Sequence, residues 1–300
     1  MLALRQGRSL SDLFRSLQGA ARRALMLDYD GTLAPFHVDP AQAEPYPGVR
    51  EALTALLAAG HTRVVLVTGR AVRDLLPLLR LDPLPEVWGS HGWEEPAPAA
   101  GVALSEPAPE GRAALADAAA LAPELEARGA RLELKPSGLA VHWRGLPPER
   151  SAAIREWLEA RWTALDLGRG LDWRDFDGGV ELRLPGRDKG HVVERLLGEM
   201  GPGTVAAYLG DDLTDEDAFR AIRGRGTGIL VRREFRPTAA DFLLQPPEEV
   251  LAFLARWDLA AGGAGAAGHS STGPEGAWSP PASLRDSGPG AAGATGRGRR

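Results

Sequence analysis

Residues 24 to 36 read ALMLDYDGTLAPF, and this stretch decides how the chain folds. Four apolar residues, Ala24 to Leu27, stop abruptly at Asp28-Tyr29-Asp30-Gly31, the pattern of a short buried strand bounded by a turn. Working outward, Val49 to Ala59 has helical periodicity and is closed by Gly60. Arg63 to Val67 is a β-branched run that ends in Thr68-Gly69-Arg70. Strand, helix and strand with short joints predict parallel pairing and an α/β sheet. A third run, Val205 to Leu209, follows a helical segment over Gly190 to Glu199 and ends in Gly210-Asp211-Asp212. Each strand therefore delivers polar residues at its carboxyl end, the edge where open parallel sheets bind ligands, and the three ends are expected to converge on one crevice.

The middle of the chain has a different rhythm. Glu110 to Arg128 reads as a helix, and Arg131 to Lys135 with Leu139 to Arg144 as a strand pair. Pro147 to Trp162 reads as a second helix, and Leu171 to Phe176 with Val180 to Leu184 as a hairpin around Asp177-Gly178-Gly179. This predicts a compact α+β insert at 96–184, entered through a Pro/Ala-rich linker over Glu95 to Pro109. The core is then 24–95 and 185–257. Residues 1–23 form an N-terminal extension in which Leu10, Leu13, Phe14 and Leu17 mark a short amphipathic helix. Residues 258–300 form a Gly/Pro/Ala-rich tail, with 11 Gly and 4 Pro in the last 40 positions, too poor in apolar periodicity to order itself.

Composition narrows the function classes. With 44% hydrophobic and 25% charged residues over 300 positions, the chain can bury a sizeable core. The absence of Cys excludes disulfides, thiolate metal sites and cysteine nucleophiles. No apolar run is long enough to span a bilayer, and a net charge of -5 argues against nucleic acid as a partner. Export signals are not found, which points to the cytoplasm. Positive charge is written almost entirely as Arg, 33 against two Lys, Lys135 and Lys189. In such a sequence a surviving Lys marks a place where a compact ammonium is needed in preference to a planar fork.

The strand ends carry the candidate chemistry. Asp28 and Asp30 can share a metal while one carboxylate oxygen stays available for attack, whereas an isolated D-x-D-G is equally well an Asx turn. Thr68 could hydrogen-bond a phosphate oxygen or simply cap the helix that follows. Asp211, Asp212, Asp215, Glu216 and Asp217 are more acids than helix capping accounts for. An all-oxygen cation site explains them better, with Mg²⁺ favoured. Lys189, at a helix start where the dipole disfavours a cation, requires an anion nearby.

Taken together, DYDGTLAPF at 28 to 36, LVTGR at 66 to 70, Lys189-Gly190 and GDDLTDED at 210 to 217 resemble the four ordered motifs of haloacid dehalogenase superfamily phosphatases. The insert resembles their C2 type of cap domain, so the expected fold is a Rossmann-like parallel sheet with an inserted α+β cap. Three further strings resemble the trehalose-6-phosphate phosphatase family: Glu133-Leu134-Lys135 with His142-Trp143-Arg144, Val180-Glu181-Leu182-Arg183, and Gly89-Ser90-His91-Gly92-Trp93-Glu94. The resemblance implies Mg²⁺-dependent hydrolysis of trehalose 6-phosphate, the last step of trehalose biosynthesis, with a functional link to the synthase that makes this substrate. It implies Asp28 as nucleophile forming an aspartyl-phosphate, and Asp30 as acid and then base. Thr68 and Lys189 would hold the phosphoryl oxygens. The metal would be bound by Asp28, Asp30 through its carbonyl, and Asp211, with Asp212 or Asp215 assisting. Gly69, Arg70, His91, Glu133, Lys135 and Glu181 would contact the substrate, while His142 remains open between ligand contact and strand packing. Other sugar phosphatases of the superfamily, of sucrose-phosphate or mannosyl-phosphoglycerate type, share the same core. A non-catalytic phosphosugar sensor is the contrasting class, disfavoured because Asp28 and Asp30 are both present.

Overall fold

A computed structural model of the chain describes residues 1–97, 101–176 and 178–262. From the N-terminus, β1 (Leu2–Ala3) leads through α1 (Leu10–Gln18) into β2 (Arg22–Leu27), α2 (Val49–Ala59), β3 (Arg63–Val67), α3 (Val72–Leu79) and β4 (Glu86–Trp88). There follow β5 (Glu94–Ala97), β6 (Gly101–Leu104), α4 (Pro109–Ala119), α5 (Ala122–Ala127), β7 (Arg131–Lys135), β8 (Gly138–His142), α6 (Pro148–Ala164), β9 (Asp172–Phe176) and β10 (Gly179–Arg183). The chain closes with α7 (Lys189–Met200), β11 (Thr204–Gly210), α8 (Glu216–Ile222), β12 (Thr227–Val231), β13 (Phe242–Leu244) and α9 (Glu248–Ala261).

The main sheet has the order β1-β13-β12-β11-β2-β3-β4, parallel throughout except where β1 runs antiparallel to β13. Both faces are covered, as a parallel sheet requires. Leu25, Leu27, Val64 and Leu66 join the cluster of Leu17, Leu53, Phe253 and Trp257 on one side. The alternate residues Ala24, Met26, Val65 and Val67 join Val193, Leu196 and Phe219 on the other. The chain moves from β2 outward to β4, then returns to β11 on the opposite side of β2. The crevice at this switch of direction lies between the carboxyl ends of β2 and β11, where Asp28 and Asp211 follow.

The insert is a four-stranded antiparallel sheet, β7-β8-β10-β9, with helices on one face. Leu139, Val141, Val180 and Leu182 pack against Ala118, Leu125, Ile154 and Leu158. By the two-residue period of a strand, Glu133, Lys135, His142 and Glu181 then occupy the other face.

Several elements differ from expectation. The helix predicted over Glu110 to Arg128 is two helices, because Pro123 in the first turn of α5 has no N–H with which to continue the ladder. The Pro/Ala-rich linker carries an antiparallel ribbon, Glu94–Ala97 paired with Gly101–Leu104, a local pairing that an edge Pro tolerates. The N-terminal extension is stitched into the main sheet through β1. At the other end α9 continues past the expected boundary at 257, with Asp258 and Ala261 buried and Gly262 in the left-handed conformation closing it. The tail from 263 onward and Asp177 of the predicted hairpin turn lie outside the described residues. Among the described residues, no helix is long and apolar enough to cross a membrane.

Candidate active site

Asp28 leaves β2 with its N–H donating to Leu209 O at 2.8 Å, so the strand ladder carries its side chain to the edge of the crevice. The chain then turns tightly: Leu33 and Ala34 donate to Tyr29 O at 2.8 and 3.0 Å. Gly31, at φ 79°, lies directly against the Asp211 carboxylate, which a Cβ there would overlap. That contact is why the D-x-D-G turn needs Gly.

Lys189 stands in the first turn of α7, buried to 2% exposure, and supplies the only ammonium in contact with this group among the described residues. Its Nζ donates to Asp28 Oδ1 and to Asp215 Oδ1, each at 2.7 Å. These carboxylates are the anions that the helix dipole demanded. Asp215 also accepts from Tyr208 OH at 2.6 Å, and its Oδ2 from the N–H groups of Asp211 (3.1 Å) and Asp212 (2.9 Å). Each Asp215 oxygen thus has two donors, which fills its lone pairs.

Carboxylate oxygens of Asp28, Asp211 and Asp215 lie within 4.8 Å of one another. Burial pushes the Asp28 carboxyl up to about 7, with Lys189 pulling it down and Asp215 pushing it further up. Burial, then the charges of Asp28 and Asp215, hold the Asp211 carboxyl well above the usual range. Three buried carboxylates facing one ammonium leave negative charge uncompensated, and a hard divalent cation with oxygen ligands fits that set. The rest of the acidic cluster has other work. Glu216 accepts from Thr238 Oγ1 at 2.7 Å and Ala239 N at 2.8 Å, and Asp217 pairs with Arg220.

Asp30 is gripped by Arg70, whose Nε and Nη2 reach its two oxygens at 2.7 Å each. Thr68 is fully buried behind the turn, its Oγ1 accepting from Arg70 N at 3.1 Å. It does not cap the following helix, whose Val72 N–H is met by Glu94 Oε2 at 3.0 Å. The opposite wall is the polar face of the cap sheet, with Glu133 and Glu181 both registered against Ala140. Lys135 Nζ donates to Glu181 Oε1 at 3.0 Å, and Glu181 Oε2 meets His91 Nε2 from the core at 2.8 Å. Burial would raise the Glu133 carboxyl, but Lys135 and the bond with His142 (3.0 Å) bring it down to about 2. Burial holds His91 down to about 4, with Arg183 and Lys135 adding to this against the pull of Glu181.

One cleft therefore collects the expected residues: Asp28, Asp30, Gly69, Arg70, Lys189, Asp211 and Asp212 from the core, with His91, Glu133, Lys135 and Glu181 above them. Thr68 and Asp215 stand behind its walls. Sequence reasoning missed Phe36, whose ring lies 4.4 Å from the Arg144 guanidinium of the cap, and Phe176, which lines the same cleft with its ring edge-on to His142 at 5.2 Å. It also missed Tyr208, which had no signal inside an apolar strand. Phe36 does close the DYDGTLAPF string, but nothing local says which of 33 arginines covers it.

The profile of the trehalose-phosphatase family matches residues 26–247, a span that takes in both the core strand ends and the cap. The chain belongs to the trehalose-phosphatase family. An uncharacterised glycosyl hydrolase of Mycobacterium tuberculosis is 36% identical over 269 residues, which cover 82% of this chain and 19% of that protein. A trehalose-phosphate phosphatase of Mycobacterium avium is 36% identical over 272 residues, covering 82% of this chain and 66% of its own. The chain thus spans from about a fifth to just under two thirds of the length of these two relatives. The solved C-terminal domain of a C. albicans trehalose-6-phosphate phosphatase superposes with a TM-score of 0.71 at 20% identity, over 87% of this chain and 99% of that one. The trehalose-phosphatase fold seen here is haloacid dehalogenase-like, a parallel-sheet core with an inserted α+β cap.

Proposed function

We propose that the protein is a Mg²⁺-dependent trehalose-6-phosphate phosphatase of the cytoplasm, acting on the product of the synthase that makes trehalose 6-phosphate. The observation that carries this reading is one cleft with two unlike walls. On one, Asp28 lies between Lys189 and Asp211; on the other, Glu133, Lys135 and Glu181 present charged acceptors and a donor suited to a neutral polyol.

In this reading Asp28 attacks phosphorus, the bond from phosphorus to the sugar oxygen breaks, and Asp30 delivers a proton to that oxygen. The Asp30 carboxylate then takes a proton from the water that releases phosphate and regenerates Asp28. Lys189 holds phosphoryl oxygens and offsets their charge, since phosphoryl transfer is mostly positioning and charge stabilisation. Thr68 acts from behind by fixing the turn that ends in Arg70. Asp28, Asp211 and the Asp30 carbonyl would hold Mg²⁺, with Asp212 assisting and Asp215 bracing the loop. The ion supplies relief of the repulsion between the Asp28 carboxylate and a phosphate dianion.

The test is release of inorganic phosphate from a panel of sugar phosphates with Mg²⁺ present. Turnover of trehalose 6-phosphate well above the sucrose and mannosyl-glycerate phosphates is expected. Strong release from another member with none from trehalose 6-phosphate would overturn the substrate assignment.

A further inference from the structure

Ser90 and His91, at the carboxyl end of β4, both occupy the left-handed region, with φ of 49° and 56°. For residues with a Cβ this conformation is strained, so the surrounding structure must impose it. The turn grips the neighbouring Thr68-Gly69-Arg70 segment: Ser90 N donates to Arg70 O at 2.8 Å, and His91 N to Thr68 O at 2.9 Å. The imidazole lies against Gly69, where a Cβ would come to 2.7 Å from its Cε1 and Nε2. The same turn also receives the cap. Ser137 Oγ donates to Ser90 O at 3.3 Å, and the His91 ring meets Glu181 at 2.8 Å.

We propose that His91 is a positioning residue that couples the sugar-binding wall of the cap to the phosphate-side turn of the core, so that trehalose and inorganic phosphate bind cooperatively. This rests on the function proposed above. Its backbone N–H anchors Thr68, and its side chain aims one oxygen of Glu181 while Lys135 aims the other. Buried in the turn, and with Arg183 and Lys135 also near Glu181, His91 acts as a neutral imidazole donating from Nε2. Nδ1, buried and without a hydrogen-bond partner among the described residues, is then the unprotonated nitrogen. A sugar bound on the cap wall acts on Glu181, and through the Glu181–His91 bond already made at 2.8 Å it bears on the turn on which Arg70 and Thr68 stand. By linkage the effect is reciprocal.

The test is calorimetric titration of inorganic phosphate into the Mg²⁺-containing protein, with and without saturating trehalose. Trehalose is expected to tighten phosphate at least fivefold in the wild type. The ratio falls towards one in His91→Ala and largely returns in His91→Gln, whose amide N–H can still reach Glu181. A ratio unchanged in His91→Ala, or no recovery in a folded His91→Gln, overturns the coupling. If His91→Ala does not fold, Glu181→Ala, measured with trehalose saturating that variant, must abolish the ratio instead, and its persistence overturns the proposal equally. If trehalose leaves phosphate affinity untouched while another sugar of the panel sharpens it, the substrate assignment falls and the coupling stands.

Discussion

Arg70 holds both carboxylate oxygens of Asp30 in a parallel fork, two bonds of 2.7 Å between groups 40 positions apart in sequence. Such a charge-assisted pair orients the carboxylate more firmly than a single bond could.

Loss of Arg70 is therefore expected to separate substrates by leaving group. In Arg70→Ala, kcat/KM for trehalose 6-phosphate falls by about 10- to 100-fold, while that for p-nitrophenyl phosphate, whose phenolate leaves without a proton, falls only a few-fold. Equal losses on both would mean that Arg70 supports the fold and not Asp30.

Metal dependence has a readout apart from activity. Mg²⁺ at about 100 times its dissociation constant should stabilise the protein by roughly 2.7 kcal/mol, measured as a rise in Tm that chelator reverses. Asp211→Asn removes the charge of a proposed ligand and should abolish most of that rise. A full Mg²⁺-dependent shift in this variant would place the ion elsewhere.

Replacing Lys189 exposes the charge balance of the cleft floor. Lys189→Met leaves buried Asp28 and Asp215 facing each other, at a cost of about 3–5 kcal/mol. Because the Asp28 carboxyl sits at about 7 even beside Lys189, it takes up a proton as pH falls and relieves the repulsion. Denaturant titration should show the larger penalty at pH 8 and a smaller one at pH 6. A penalty independent of pH would contradict this balance.

His91 predicts a second pH signature. Its folded pKa of about 4 lies below the ordinary 6.5, so the unfolded state binds the extra proton between those values. Stability from this residue is complete above 6.5 and is lost as pH falls towards 4, by up to about 3 kcal/mol. The carboxyls of Asp28 and Asp211 act in the opposite direction, so the quantity to measure is the difference between wild type and His91→Gln across pH 4 to 7. A flat difference would show His91 to be charged in the fold.

Truncation tests the C-terminal boundary. A chain ending at Gly262 should keep its activity and Tm, whereas one ending at Arg256 removes buried Trp257 and Ala261 and should lose several kcal/mol. Impaired turnover by the first chain would assign the remaining tail a role in the enzyme.

The strand ends were readable because each signal is local. A short apolar run, a Gly where the chain must turn and an acid just past it all lie within a dozen residues, and β2, β3 and β11 run as expected. The scarcity of lysine made Lys135 and Lys189 visible, and both line the cleft. Less was legible where the signal was only an average. The five clustered acids suggested one metal site, yet Glu216 and Asp217 hold Thr238 and Arg220, while Asp211 and Asp215 stand with Asp28 in one buried carboxylate group. The Pro/Ala-rich linker hid a strand pair because backbone pairing needs little from side chains.

By itself the sequence determined which chemical groups reach the crevice, since strand, turn and helix start are written in neighbouring residues. Which group meets which was decided only by the tertiary structure. Asp30 could have paired with any of 33 arginines, and Glu181 gives no local sign that it will lie between Lys135 and His91. Those partners are brought together by the order of strands in the sheet and by the cap folding over it. Packing of apolar faces sets that order, and it carries the charged residues into contacts their own neighbours in the chain do not specify.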